Sequence, residues 1–216
     1  MTRNDPVGTD SRRRVVVATA NPGKLAEIQA ILAGVPVELV PMGELGIEEP
    51  VEDGDTFEAN ALVKARACAA ATGLAAIADD SGLEVDALGG APGVRSARYA
   101  GEPSDDRADK DRANNAKLVA ALAGVPAANR TARFVAAAAI VTPDGFEHVV
   151  RGTMEGRIVD RPRGSGGFGY DPHFVSVAAG GERTNAELTQ DEKDAISHRG
   201  AALRALRPHV EALLVE

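Results

Sequence analysis

"ARFVAAAAIVTPDGFEHVVRGTMEGRIV", residues 132–159, is the stretch that decides the fold. Two runs, Ala132–Thr142 and Glu147–Val159, read as long strands, and Pro143-Asp144-Gly145 between them is a turn. Strands joined by so short a connection pair antiparallel. Around this hairpin the chain alternates strand and helix patterns. Arg14–Thr19 (RVVVAT) and Val37–Val40 are short strand candidates, with helical spacing over Lys24–Leu32 between them. An acidic loop, residues 41–55, leads to Asp55, which is placed to cap a helix with Glu58 three residues on. That helix runs to about Ala71, before Gly73. A third strand is expected at Ala75–Asp79, a loop-rich segment at 86–104, a helix over Asp105–Leu122 and a short strand near Phe174–Val177. Apolar residues at 196, 203, 206, 210, 213 and 214 mark a C-terminal helix. The chain is therefore α/β or α+β with a mixed sheet, and the hairpin argues against a purely parallel one.

Composition narrows the classes. The 216 residues suit one domain, read as 14–216 behind a polar, flexible tail at 1–13. Aromatics make up only 3% and Trp is absent, so the core must be aliphatic and each Phe or Tyr carries information. A single Cys68 excludes a disulfide framework and a cysteine-built metal cluster, and reads as a small core residue. No apolar run reaches the roughly 20 residues of a membrane span, and no apolar signal core opens the chain, so a cytoplasmic setting is expected. A net charge of −8 disfavours a nucleic-acid polymer as partner but not a small anion in a local basic pocket.

Several short stretches carry chemistry. "TANPGK", 19–24, puts Lys24 on a turn between strand and helix, where free amides and the helix dipole favour phosphate. An ordinary turn with a surface lysine fits the spacing as well, and the stretch is not a Walker A loop. "GSGGFG", 164–169, matches G-x-G-x-x-G but is followed by Tyr170-Asp171-Pro172 and opens no helix, so it is no dinucleotide fingerprint. Phe168 among its glycines is either a stacking platform for a planar ligand or a ring tucked into the core. In the helix 56–71, Asn60 and Lys64 share a stripe with Phe57, Ala61, Ala65 and Cys68, so Lys64 either snorkels out or points into a site. "ELTQDEKDAISHRG", 187–200, gathers Lys193, His198 and Arg199. With Ser197 as cap, the last two are cations in a first helical turn, locally unfavourable unless a ligand compensates. Asp79-Asp80-Ser81 at a strand end reads either as a turn or as carboxylates for Mg²⁺ bridged to phosphates. The scattered histidines argue against zinc.

In order along the chain, "TANPGKLAEI", "TFEANALVKA", "ADDSGLEVDALGGAPGVRSARYAG", "GFGYDPHF" and "AELTQDEKDAISHRG" resemble the inosine triphosphate pyrophosphatase family in its bacterial XTP/dITP branch, from about residue 14 to the C-terminus. Ala20, where a Gly often sits, and the tail are the departures. The resemblance implies a two-lobed α/β fold, a long twisted mixed sheet flanked by helices, with a nucleotide in the cleft. It implies hydrolysis of ITP, dITP or XTP to the monophosphate and pyrophosphate, with Mg²⁺, by a homodimer. Asp80 would be general base and metal ligand, with Asp79 beside it and Glu52 as second acidic partner. Thr19, Ala20, Asn21, Pro22, Gly23, Lys24, Lys64 and Ser81 would hold phosphates. Phe168 would stack on the base beside Gly169 and Tyr170, Asp171 would bond its edge, and Lys193, His198 and Arg199 would close over it, donating to O6. Two other readings are a Maf-type nucleotide pyrophosphatase, against which "SHRG" argues, and a nucleotide sensor without turnover, which three carboxylates disfavour.

Overall fold

The computed structural model describes residues 13–101 and 105–213. The tail reading therefore falls outside it except at Arg13, as does Leu214. Six strands form one sheet in the order β2-β1-β3-β4-β5-β6. They are β1 (Arg13–Val17), β2 (Val37–Pro41), β3 (Ala75–Val85), β4 (Thr131–Val141), β5 (Glu147–Ile158) and β6 (Phe174–Ser176). β1 lies parallel to β2 and β3, while β3, β4, β5 and β6 pair antiparallel in turn. The hairpin thus makes the sheet mixed. Its turn is closed by Phe146 N–H donating to the Thr142 hydroxyl at 3.1 Å.

Helices cover both faces: α1 (Pro22–Ile31), α2 (Phe57–Thr72), α3 (Arg107–Ala121), α4 (Gln190–Ile196) and α5 (His198–Ala212). One face packs Val15, Val17, Ile77, Ala136, Ala138 and Ile140 under α1 and α5. The other packs Val16, Ala18, Ala76, Ala78, Ala137 and Ala139 under α2, with Cys68 fully buried among them. The far end of the sheet closes on α3 through Leu83, Val85, Phe134, Leu118 and Leu122. Where no helix covers the second face, a half-exposed ladder of ion pairs runs from Glu58 through Arg151, Glu84 and Arg133 to Asp86. Among the described residues no helix is long and apolar enough to cross a membrane.

Three local expectations are corrected. The third strand does not end at Asp79. β4 pairs with it from Ala76↔Val141 to Val85↔Ala132, so both aspartates sit mid-strand. The cap of α2 is Thr56, not Asp55: the Thr56 hydroxyl accepts from Ala59 N–H at 3.1 Å. Gly54 N–H is tied to the Asn60 side chain, which fixes the chain just below and leaves Thr56 in the capping position. Finally, Ser197 is extended and does cap α5, accepting from Gly200 N–H at 2.9 Å, but this places Ile196 in α4 rather than in the last helix.

α5 crosses β5 at Gly152, where an added Cβ would collide with backbone atoms of His198 and Ala202. Backbone cannot step aside as a side-chain tip can. Gly152→Ala is expected to cost about 1–3 kcal/mol, the range for overpacking, read as a lower urea midpoint. An unchanged midpoint would show that α5 is not seated on β5.

Candidate active site

The site opens where β1 stops and β3 continues. The last β1–β3 pair is Val17↔Ile77, sealed by Ala18 N–H to Ile77 O at 2.8 Å. Beyond it β3 has no β1 neighbour, and a cavity of about 610 Å³ lies between the β1–α1 turn and α2 on one side and α3 and the 164–171 loop on the other. Side chains alternate along a strand, so Asp79 and Asp80 leave β3 on opposite faces. Their repulsion is resolved by geometry: each meets its own set of cations.

Asp79, fully buried, faces α1 and α5. Its Oδ2 accepts from Arg199 Nε at 3.0 Å and lies 3.2 Å from Lys24 Nζ. Arg199 also donates to Ser81 Oγ at 3.0 Å and to Glu27. Glu27 lies 3.7 Å from Lys193, which donates to Asp171 at 2.8 Å. Charges therefore alternate without a gap: Lys24, Asp79, Arg199, Glu27, Lys193, Asp171. Burial pushes the Asp79 carboxyl up, but Lys24, Arg199 and Lys64 together outweigh it and hold it far below the ordinary carboxylate range. Burial lowers Lys24, against the pull of Asp79.

Asp80 faces α2. Its Oδ2 accepts from Asn60 Nδ2 at 3.0 Å and its Oδ1 from Ser81 N–H at 2.9 Å, with Lys64 Nζ 3.7 Å away. Lys64 in turn donates to Glu52 at 2.6 Å. Burial, with help from Glu52, raises the Asp80 carboxyl against Lys64, Lys24 and the Asn60 bond. For Lys64, burial is outweighed by Asp79, Asp80 and Glu52, and its ammonium is raised. One strand thus carries a carboxylate locked in its ionised form and one poised closer to proton exchange, a separation by environment that acid–base chemistry uses.

At the other end of the cavity Phe168 is half-buried. Arg107, Lys193 and Arg199 lie 4.8, 4.6 and 5.9 Å from its ring centroid, and the ring passes close over Gly23. The two loop amides that could have formed an anion nest are spent on carboxylates: Phe168 N–H on Asp171 at 3.0 Å, Gly169 N–H on Asp111 at 2.9 Å. Asn21 caps α1 by accepting from Gly23 and Lys24 N–H, and Thr19 Oγ1 accepts from Asn21 N–H at 3.2 Å.

Of the sequence-derived site residues, Thr19, Ala20, Asn21, Lys24, Glu52, Lys64, Asp80, Ser81, Phe168, Gly169, Tyr170, Asp171, Lys193, His198 and Arg199 line one cavity. Pro22 and Gly23 shape the α1 turn without lining it, and Asp79 lies beneath it. Tyr170 is anchored by its hydroxyl donating to Ser96 O at 2.8 Å. Asp171 is buried with both oxygens engaged, by Asn185 at 3.1 Å and by Phe168 and Lys193. Two expectations change. Arg199 is 1% exposed and paired with Asp79, Ser81 and Glu27, so it stands by the Phe168 ring as a neutralised rather than a free cation. His198 is not a cation: burial first, then Arg199 and Lys193, hold it well below the ordinary histidine value. Its ring stacks on Phe134 at 5.0 Å.

The sequence model of the Ham1 family matches residues 15–209. The chain belongs to the Ham1 family. A dITP/XTP pyrophosphatase of Frankia alni is 56% identical over 195 residues, covering 89% of this chain and 95% of its own. One of Symbiobacterium thermophilum is 52% identical over 206 residues, covering 95% and 99%. Among solved structures, a HAM1 protein from Coxiella burnetii superposes with a TM-score of 0.81 at 40% identity, covering 94% of this chain and 98% of that one. A nucleoside-triphosphatase / dITP/XTP pyrophosphatase from Mycobacterium abscessus gives 0.72 at 52% identity, covering 90% and 99%.

Sequence reading of this Ham1 chain missed Glu27 and left Asn60 without a role. Asn60 carried a signal, a polar amide on a buried helical stripe. Glu27 carried none beyond lying one turn past Lys24. His198 gives a measurable consequence. Unfolded, it titrates near 6.5; the native ring refuses that proton, so the stability it contributes is present above that pH and is lost as pH falls below it. Between pH 7 and 5.5 the wild type is expected to lose about 1 kcal/mol more than His198→Gln in urea unfolding. Equal losses would mean a protonated native ring.

Proposed function

We propose that this chain hydrolyses non-standard purine nucleoside triphosphates, dITP, ITP and XTP, to the monophosphate and pyrophosphate. The observation that carries the reading is a single cavity with an aromatic ring at one end and, at the other, lysines beside a poised carboxylate. The names of its Ham1 relatives support the same activity. The single sheet and the family match support reading 14–216 as one domain.

Asp80 is the general base. Asn60 and the Ser81 amide fix one lone pair on each oxygen, leaving the rest of the carboxylate to orient a water and take its proton as the water attacks phosphorus. Lys24 and Lys64 set positive charge along the phosphate chain; the amides expected to be free at the start of α1 are instead taken up by Asn21 and Thr19, so that turn contributes the positive end of the helix dipole. Pyrophosphate leaves with the electron pair of the broken P–O bond. Asp79 holds Lys24 and Arg199 in place rather than meeting the ligand.

A divalent cation, Mg²⁺ in this reading, fits Asp80 and Glu52: both are hard oxygen donors lining the cavity, and each Asp80 oxygen keeps a lone pair beyond its one hydrogen bond. Asp79, fully buried and ion-paired, does not fit as a ligand. The cation would neutralise phosphate charge and acidify the attacking water. A cytoplasmic setting and a homodimer belong to the same reading, and rest on the family resemblance.

Asp80→Asn preserves the side chain's size but only one of its two accepted hydrogen bonds, because an amide nitrogen cannot accept from the Asn60 amide or the Ser81 N–H. It is expected to lower kcat for dITP at least about 100-fold at saturating Mg²⁺ with the fold retained and Tm lowered only by the loss of one buried hydrogen bond; near-normal kcat would remove Asp80 from the chemistry. Discrimination falls to Lys193, which is engaged with Asp171 yet stands over the Phe168 ring. In Lys193→Met, kcat/KM for ITP should drop about tenfold more than for ATP, the loss of one charged donor to O6. Equal drops would place Lys193 on a part common to both nucleotides.

A further inference from the structure

The loop that carries Phe168 is tied within itself on one side of the ring only: Phe168 N–H donates to Asp171 at 3.0 Å, and Asp171 N–H to Phe168 O at 3.3 Å. Gly167 and Gly169 both take positive φ, +70° and +61°, and glycine lets such a backbone swing. The hold on the other side of the ring, at Gly169, comes from α3. Arg107, Asp111 and Asn115 stand four residues apart on one stripe of that helix. Asp111 Oδ2 accepts Gly169 N–H at 2.9 Å, Asn115 Nδ2 donates to Gly169 O at 2.8 Å, and the Arg107 guanidinium lies 4.8 Å from the Phe168 ring centroid. Grasping the N–H and the C=O of one residue fixes both its place and its rotation; a single bond would leave a pivot. The helix that does this is itself anchored. Its inward Asn114 donates to Ala97 O at 3.1 Å and accepts from Ala100 N–H at 2.7 Å, and Leu118 is fully buried in the core.

We infer that α3 is a latch that sets the base platform, with Asp111 and Asn115 as positioning residues of the nucleoside subsite. The inference rests on the reading of Phe168 as that platform. The bonds of Asp111 and Asn115 end on Gly169 and not on Asp80, Lys24 or Lys64, so the latch governs capture of the nucleoside and not of the phosphates. A tie that merely stabilised the loop would not separate the two.

Calorimetric titration of the full-length protein in magnesium buffer separates them, with IMP presenting the base and inorganic pyrophosphate presenting phosphate alone. Asp111→Ala is expected to weaken IMP about tenfold and Asn115→Leu about threefold, the sizes of a charge-assisted and a neutral hydrogen bond, with pyrophosphate unchanged within about twofold. Asp111→Asn, which keeps an oxygen acceptor but not the charge, should bind IMP nearly as the wild type does. Should Asp111→Ala fail to fold, Asn115→Leu decides. IMP and pyrophosphate weakening together would overturn the latch. So would unchanged IMP binding in the α3 variants while Phe168→Ala weakens it. If Phe168→Ala itself leaves IMP untouched, the platform reading fails and takes the latch with it.

Discussion

The guanidinium of Arg199 joins three elements that are far apart in the chain. It bonds Asp79 and Ser81 on β3 and Glu27 on α1 from the first turn of α5. A cation almost wholly out of water is tolerable only if carboxylates surround it, and losing one partner leaves an uncompensated charge that costs several kcal/mol. A lysine could not replace it, because a point charge lacks the planar fork that reaches three partners at once. The relative placement of α1, β3 and α5 is therefore specified by charge as well as by apolar packing. Lys24, Asp79 and Lys193 take their positions from the same chain of contacts.

The pleat of β3 does the complementary task. Two ionised carboxylates side by side on one face would force one to hold a proton. Adjacent positions on a strand place them on opposite faces, one against α1 and α5, the other against α2. Asp79 becomes a permanent anion that anchors cations, while Asp80 stays at the cavity wall with a raised carboxyl. The alanines that line the neighbouring strand, Ala136 to Ala139, let the helices come close enough for Arg199 and Lys64 to reach the sheet.

The local features were legible because they are local. The hairpin, the turn before α1 and the Ser197 cap follow from neighbouring residues, and the mixed sheet follows from the hairpin. The five motifs marked the cavity wall. What the sequence hid was pairing at a distance: Arg199 is 120 positions from Asp79 and 172 from Glu27, and no periodicity links them. Without those partners Arg199 read as a free cation and His198 as another. The division of labour between Asp79 and Asp80 was obscured for a different reason. Ending the strand at Asp79 made the pair look like a turn, where alternation does not apply. The tie between α3 and Gly169 was equally out of reach, since it joins residues more than fifty apart.

Six groups, from Lys24 to Asp171, form the buried charge chain, with side chains between 0 and 14% exposed. Dissolved salt weakens interactions whose field lines pass through water, over a length of about 8 Å at physiological ionic strength. The ladder on the open face, such as Arg133 with Asp86 at 30% and 44% exposure, is subject to that weakening. The buried chain is weakened far less, because no counter-ion can stand between its members. The placement of charge at the cavity floor is thus written into the polypeptide and holds its geometry while the surrounding electrolyte varies.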